Sequence, residues 1–158
     1  MSVNAEVAEV LYEIGELYAI TGDQFRSRAF LMAAQRVTSL TEDVRRIRER
    51  GELMEIPGVG KSIAAIIEEV LDTGACGQLE EMRESLPHGV RELMQLEGVG
   101  PKTAMRLNRE LGIASIDDLE AAVKEGRLRK LRGFREKAEE NILKSIEDFR
   151  ARQERFLL

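Results

Sequence analysis

The sequence predicts an all-α chain, and three observations predict it. Apolar residues recur at three- and four-residue spacing almost throughout the 158 residues, as on helices with one buried face. No stretch of strand length alternates convincingly between apolar and polar residues. Glycines fall where the periodic runs stop, as they do at helix C-termini. With 43% hydrophobic residues the chain has material for a core, and its length allows one domain or two small ones.

The elements follow in order. Val7, Val10, Leu11, Ile14, Leu17 and Tyr18 form the first apolar face. Thr21-Gly22-Asp23 ends that helix and caps the next, which carries Ala29, Phe30, Ala33, Ala34 and Val37. A third helix is predicted from near Thr41, with Glu42 and Asp43 in its first turn, where the helix dipole favours anions. It stops at Gly51. Helices then follow from about Lys61 to Gly74 and from about Pro101 to Gly112, each succeeded by a short acidic helix holding Leu79 or Leu119. Ser115 with Asp118 reads as a capping box for the second of these. Leu86-Pro87-His88-Gly89 is a turn and the expected boundary between domains 1–85 and 90–158. From Glu136 a long helix carries Ile142, Ile146 and Phe149.

Composition excludes several chemistries. One cysteine, Cys76, permits neither an internal disulfide nor a cysteine metal cluster. The one histidine, His88, falls in the predicted turn, away from any hydrolase triad. No apolar run approaches the ~18 residues of a membrane span. The N-terminus carries Glu6, Glu9, Glu13 and Glu16 with no early base, the opposite of a secretory signal. A reducing, cytoplasmic compartment is expected. The net charge of -5 excludes a generic basic tail but not local basic faces.

One element is repeated. Glu55-Ile56-Pro57-Gly58-Val59-Gly60-Lys61-Ser62-Ile63-Ala64 is echoed by Gln95-Leu96-Glu97-Gly98-Val99-Gly100-Pro101-Lys102-Thr103-Ala104. Each copy has an aliphatic residue, a spacer, Gly-Val-Gly, and an alanine four residues after the second glycine. Leu131-Arg132-Gly133-Phe134-Arg135 is a degenerate third copy without the second glycine. Glycine lets another backbone approach closely. The second glycine precedes a helix whose first N–H groups have no internal partner and whose dipole favours anions. Such a bend suits a phosphate oxygen and reads backbone rather than base sequence. Gly60-Lys61-Ser62 also resembles the end of a nucleotide-binding P-loop. That loop needs a glycine where Glu55 stands and a preceding strand, and both are missing.

Two such hairpins at this spacing, with Asp23-Gln24-Phe25-Arg26-Ser27-Arg28-Ala29-Phe30 before them and Gly126-Arg127-Leu128-Arg129-Lys130-Leu131 after, resemble the helix-hairpin-helix N-terminal region of family X DNA polymerases. Bacterial and archaeal members are the nearer relatives and DNA polymerase beta a more distant one. The resemblance covers essentially the whole chain. It implies a small lyase-type domain over 1–85, a DNA-binding subdomain over 90–158, and a catalytic palm beyond, in a protein of DNA repair, base excision repair in particular. It implies that Gly58, Gly60, Lys61 and Ser62 face the strand near the 5′-phosphate of a gap. Gly98, Gly100, Lys102 and Thr103 would hold the primer-side backbone. Arg26 and Phe30 match positions lining the 5′-phosphate pocket. Main-chain carbonyls of Met54, Ile56 and Val59, and of Met94, Leu96 and Val99, would bind a Na or K ion bridging to phosphate. Mg or Mn belongs to the palm, which this chain lacks.

Two departures matter. The nucleophilic lysine of lyase-active members falls two residues after Ala64, and this chain has Ile66, which cannot form a Schiff base. Lys61 is the nearest amine and reads as a phosphate partner. Arg135 stands where the third hairpin would have glycine, so that hairpin reads as structural, with Arg135 able to add a phosphate contact.

Charge is polarised. Residues 1–23 hold five acids and no base, and 24–50 hold seven arginines against three acids. Residues 98–135 hold nine bases against five acids, and 52–97 hold ten acids against three bases. Arg45, Arg46, Arg48 and Arg50 read as a solvated helix face; Arg127, Arg129, Lys130 and Arg132 are candidates for DNA contact. Of Tyr12, Tyr18, Phe25, Phe30, Phe134, Phe149 and Phe156, most belong to apolar faces, with Phe25 or Phe30 best placed to touch a base. No Asp-x-Asp is present to hold catalytic metals, so this chain alone is not expected to polymerise DNA. The expected function is non-sequence-specific binding of gapped, nicked or primer-template DNA, as a monomer. The alternatives are an abasic-site lyase acting through Lys61 and an adaptor whose hairpins dock proteins.

Overall fold

The computed structural model describes residues 2–157, and side chains as far as Arg155. Phe156, counted among the aromatics, lies outside the described side chains. The described residues are helical with no strand. The chain divides into two compact units that part between Ser85 and Leu86.

The first unit is built around α1 (Val3–Ile20). Ser2 caps it, its hydroxyl accepting from the Ala5 N–H at 3.1 Å. Val7, Leu11, Ile14 and Leu17 are buried along α1, and Phe30, Ala33, Ala34 and Val37 along α2 (Gln24–Thr38), which packs beside it. The two helices approach so closely at Gly15 that a Cβ there would lie 2.8 Å from the Leu31 side chain and 3.2 Å from its backbone nitrogen. Asp23 caps α2 through the Arg26 N–H at 3.0 Å.

The third helix, α3 (Val44–Glu49), starts later than the sequence predicts. Asp43 is its cap rather than part of its first turn, accepting from the Arg45 N–H at 2.9 Å. Asn4 of α1 fixes that start. Its amide donates to the Glu42 carbonyl and its oxygen accepts from the Val44 N–H, both at 2.8 Å. After a 3-10 turn at Leu53–Glu55 come the first glycine bend, α4 (Lys61–Thr73) and α5 (Gly77–Glu84). The Arg83 guanidinium pairs with Glu13, and Gln78 donates to the Tyr18 hydroxyl at 2.9 Å, tying α5 to α1.

The second unit opens with α6 (His88–Leu93). His88 is therefore the first residue of a helix and not a turn residue; the turn is confined to Leu86-Pro87, with Pro87 at the cap. Gly89 lies against the loop over 112–115, where a Cβ would come 2.9 Å from Ala114 Cα and 3.0 Å from its carbonyl oxygen. The second bend leads into α7 (Pro101–Leu111), and Ser115 caps α8 (Ile116–Lys124) through the Asp118 N–H at 3.0 Å. The Asp118 carboxylate reaches back to the Ala114 N–H at 3.2 Å, one residue before the capping-box partner. A 3-10 turn at Arg127–Lys130 precedes the third bend and α9 (Glu136–Leu157). Ile142 and Ile146 of α9 are buried, and Arg150 pairs with Glu120 at 3.0 Å and Asp117 at 2.5 Å of α8.

Candidate nucleic-acid interface

The two Gly-Val-Gly bends have one backbone geometry. Gly58 and Gly98 both sit at φ +85°, a left-handed conformation that disfavours any side chain. The Val59 N–H closes the first bend on the Ile56 carbonyl at 3.0 Å, and the Val99 N–H closes the second on Leu96 at 3.1 Å. Ile56, Val59, Leu96 and Val99 are buried and anchor the turns. Gly60 and Gly100 cap α4 and α7 in extended backbone, and each carbonyl takes the N–H four residues on at 2.9 Å.

The helix starts are open. The N–H groups of Gly60, Lys61, Ser62 and Ile63 have no hydrogen-bond partner among the described residues. Pro57, Gly58, Gly60, Lys61 and Ser62 are exposed. A Cβ on Gly60 or Gly98 would meet nothing within 4 Å. At the second bend Pro101 supplies no N–H, leaving those of Gly100, Lys102 and Thr103 without partners among the described residues. Lys102 is exposed, and Gly100 and Thr103 are half-buried. Partnerless amides at the positive end of a helix dipole are the kind of surface that favours an anion.

The third bend is degenerate only in sequence. Gly133 has φ +91°, the Phe134 N–H closes on the Leu131 carbonyl at 3.2 Å, and the Glu139 N–H takes the Arg135 carbonyl at 3.1 Å. Glu139 stands where the other copies have Ala64 and Ala104, is 6% exposed, and pairs with the Arg129 Nε at 3.2 Å. The repeat register carried the signal for this exchange, because Leu131 aligned on Ile56 and Leu96 puts Glu139 on the alanine.

The structure sorts the other candidates. Arg26 is exposed, 3.6 Å from Asp23, with its guanidinium 5.7 Å over the Tyr18 ring. Phe30 is buried, its ring 5.6 Å from that of Tyr18, so it underlies the Arg26 surface without reaching solvent. Phe25 is 86% exposed and is the one of the pair with a ring free to meet a base. Met32 of α2 lies 3.7 Å from where a Gly58 Cβ would be, an apolar neighbour of the bend that sequence reasoning did not find. Ile66 is buried, and Lys61 is exposed at the helix start.

Much of the arginine run is neutralised within the fold. Arg45 pairs with Asp43 at 2.8 Å, Arg48 with Asp72 at 2.6 Å, and Arg50 with Glu42 at 2.7 Å and Glu52 at 2.6 Å. The hydrogen-bonded Arg45 guanidinium and N–H pull the Asp43 carboxyl down to about 2. Arg48 likewise lowers Asp72, and Arg50 lowers Glu42.

The carbonyls named for a cation form an all-oxygen, neutral donor set, which suits a hard monovalent ion. The Val59 and Val99 N–H groups each occupy one lone pair, on Ile56 and Leu96; the carbonyls of Met54, Val59, Met94 and Val99 accept from no turn or side-chain donor among the described residues. Among the described residues no three His, Cys, Asp or Glu side chains converge as a metal would require, and no helix is long and apolar enough to cross a membrane.

Comparison with known proteins agrees with this geometry. Residues 2–76 match the family described as "Helix-hairpin-helix domain", and residues 90–148 the "SAM-like Helix-hairpin-helix tandem". Each stretch is thus similar to a helix-hairpin-helix family. It is 31% identical over 96% of its length to the DNA polymerase/3′-5′ exonuclease PolX of Bacillus subtilis. It is 31% identical over 73% to the DNA-directed DNA/RNA polymerase mu of Homo sapiens, and 29% identical over 73% to the DNA polymerase lambda of Rattus norvegicus. It thus matches the N-terminal, helix-hairpin-helix-bearing regions of family X DNA polymerases, and these domains and relatives support DNA binding. The matched stretch spans 26%, 23% and 19% of those three relatives.

Proposed function

We propose that this chain binds the DNA backbone without sequence specificity at gaps or nicks, as a monomer, serving as the DNA-binding part of a cytoplasmic family X repair polymerase. The observation that carries the reading is the pair of glycine bends with matching angles, each presenting partnerless N–H groups to solvent. A phosphate oxygen accepts from these amides while Lys61 or Lys102 supplies charge beside it. Base edges are not read, because the donors belong to the main chain. Carbonyls of Met54, Ile56 and Val59, and of Met94, Leu96 and Val99, would hold a Na or K ion, which when bound supplies positive charge between turn and phosphate. Exposed Arg26 supports recognition of a 5′-phosphate, and Phe25 supports stacking of an unpaired base.

The lyase alternative loses support at Ile66, which is buried as well as unreactive. Borohydride trapping on abasic DNA is expected to give no adduct.

Fluorescence anisotropy on gapped duplexes with and without a 5′-phosphate tests the reading. Gly60→Val/Gly100→Val is the informative variant. Both positions have negative φ, which a side chain adopts without strain, and Gly60 faces open space; circular dichroism checks that the variant folds, and the added bulk screens the amides. Affinity is expected to fall at least tenfold. Unchanged affinity in a folded variant would overturn phosphate binding at the bends. Equal affinity with and without the 5′-phosphate would remove its recognition.

A further inference from the structure

The first bend carries a side chain that the second lacks. Met32 lies on the face of α2 opposite Phe30, Ala33 and Val37 and is 53% exposed. A Cβ on Gly58 would lie 3.7 Å from its Cγ and 3.8 Å from its Sδ. A Cβ on Gly98 would meet nothing within 4 Å. Arg28 and Arg36 stand four residues to either side of Met32 and so share its face. Both are exposed, as is Lys61, and none of the three makes an ion pair among the described residues. A thioether therefore sits against the bend, among the bases that would face phosphate.

Sulfur is the oxidisable atom of this surface, and its exposure is uneven. The Cys76 thiol is buried. Among the other methionines with described side chains, Met54 is exposed, Met82 and Met94 are half-buried, and Met105 is buried. Met94 holds in the second hairpin the place that Met54 holds in the first. Oxidant access is thus greater at the first bend than at the second. Met54, though exposed, has no atom within 4 Å of the point a Gly58 Cβ would occupy, so Met32 is the methionine whose oxidation alters the bend itself.

We propose that Met32 is a reversible oxidation site for hydroperoxides and that its sulfoxide turns off phosphate binding at the first bend. A sulfur lone pair attacks one peroxide oxygen. The S–O bond forms, the O–O bond breaks, and the sulfur gives up two electrons. The proton on the transferred oxygen passes to the departing hydroxide, which leaves as water. An apolar thioether beside the open N–H groups becomes a polar S=O group, negative at oxygen. That oxygen competes for the donors a phosphate oxygen would use and repels the phosphate. Reduction by two thiols restores the thioether, the sulfoxide oxygen leaving as water and the thiols joining as a disulfide. The inference rests on the phosphate-binding reading of the bend given above.

The test treats wild type and Met32→Leu with hydrogen peroxide and follows sulfoxide at each methionine by peptide mass spectrometry. Anisotropy on gapped duplex then reads affinity before oxidation, after it, and after methionine sulfoxide reductase with dithiothreitol. Circular dichroism checks the fold at each stage. Met32 is expected to oxidise faster than Met82, Met94 and Met105. Wild-type affinity is expected to fall about tenfold, the loss of one charge-assisted hydrogen bond, and to return on reduction. Met32→Leu, oxidised at Met54, is expected to change by less than about twofold, because its amide contacts are kept. Slow oxidation of Met32, unchanged affinity of its sulfoxide, or an equal loss in Met32→Leu would each overturn the switch and leave the amide bends standing. A loss that the reductase does not reverse would trace to another group, such as Cys76, and overturn it too. Gly60→Val, whose first bend is already screened, should lose little more on oxidation; a full further loss there would place the effect away from the bend. A reduced wild type that binds no DNA would overturn this inference and the reading beneath it together.

Discussion

Single residues decide how closely backbones meet in this fold. Gly89 allows α6 to lie against Ala114, where any Cβ would meet backbone atoms that cannot rotate away. Gly89→Ala is expected to destabilise the second unit by about 1–3 kcal/mol through overpacking, read from the urea midpoint. Asp43 makes an electrostatic prediction. Its folded carboxyl titrates at about 2 against an ordinary 3.8, chiefly because the Arg45 guanidinium hydrogen-bonds it. A folded value below the unfolded one means stabilisation that is complete above about pH 4 and lost as pH falls through about 2. Melting curves from pH 5 to pH 2 should show a smaller drop for Asp43→Asn than for wild type. An equal drop would mean the ion pair is not formed. The sequence marked Asp43 as acidic near a helix start but set it inside the helix. The contact that moves the start is Asn4, 40 residues away, and periodicity carries no trace of it.

At the scale of elements, the helices were legible because each buries one face, and their ends because Gly74 and Gly112 adopt left-handed backbone, at φ +76° and +66°. The first two bends were legible because glycine recurs where conformation demands it. The third was read as degenerate because Arg135 replaces a glycine whose φ is negative in the other copies, where a side chain is tolerated. The glycine that the turn requires, Gly133, is present. What stayed illegible were tertiary braces such as Asn4, whose side chain holds both a carbonyl and an N–H at the entrance to α3. Asn4→Ala leaves two part-buried backbone groups without partners, and each such group costs about 1–3 kcal/mol. The first unit should therefore lose about 2–6 kcal/mol in urea unfolding. A loss under about 0.5 kcal/mol would show that water replaces the bracket.

Over the whole molecule, a net charge of -5 opposes a polyanion, yet in the proposed complex a phosphate would meet the amide bends and the unpaired bases. Beyond about 8–10 Å salt screens the distant acids at physiological ionic strength, so local groups set the contact. Arg45, Arg48 and Arg50 are spent on Asp43, Asp72, Glu42 and Glu52, so the basic stretch over 24–50 contributes less than its sequence count suggests. If the chain meets ~3–5 phosphates, log affinity for duplex DNA should fall against log salt with a slope of about -2.7 to -4.5. Amide contacts and cation contacts differ in this measurement. An N–H releases few counterions, so Gly60→Val/Gly100→Val should lower affinity at every salt concentration while leaving the slope within about one unit. Removing lysines and arginines should flatten the slope itself. A wild-type slope near zero would mean that the lysines and arginines left free of ion pairs do not face phosphate, whatever the affinity.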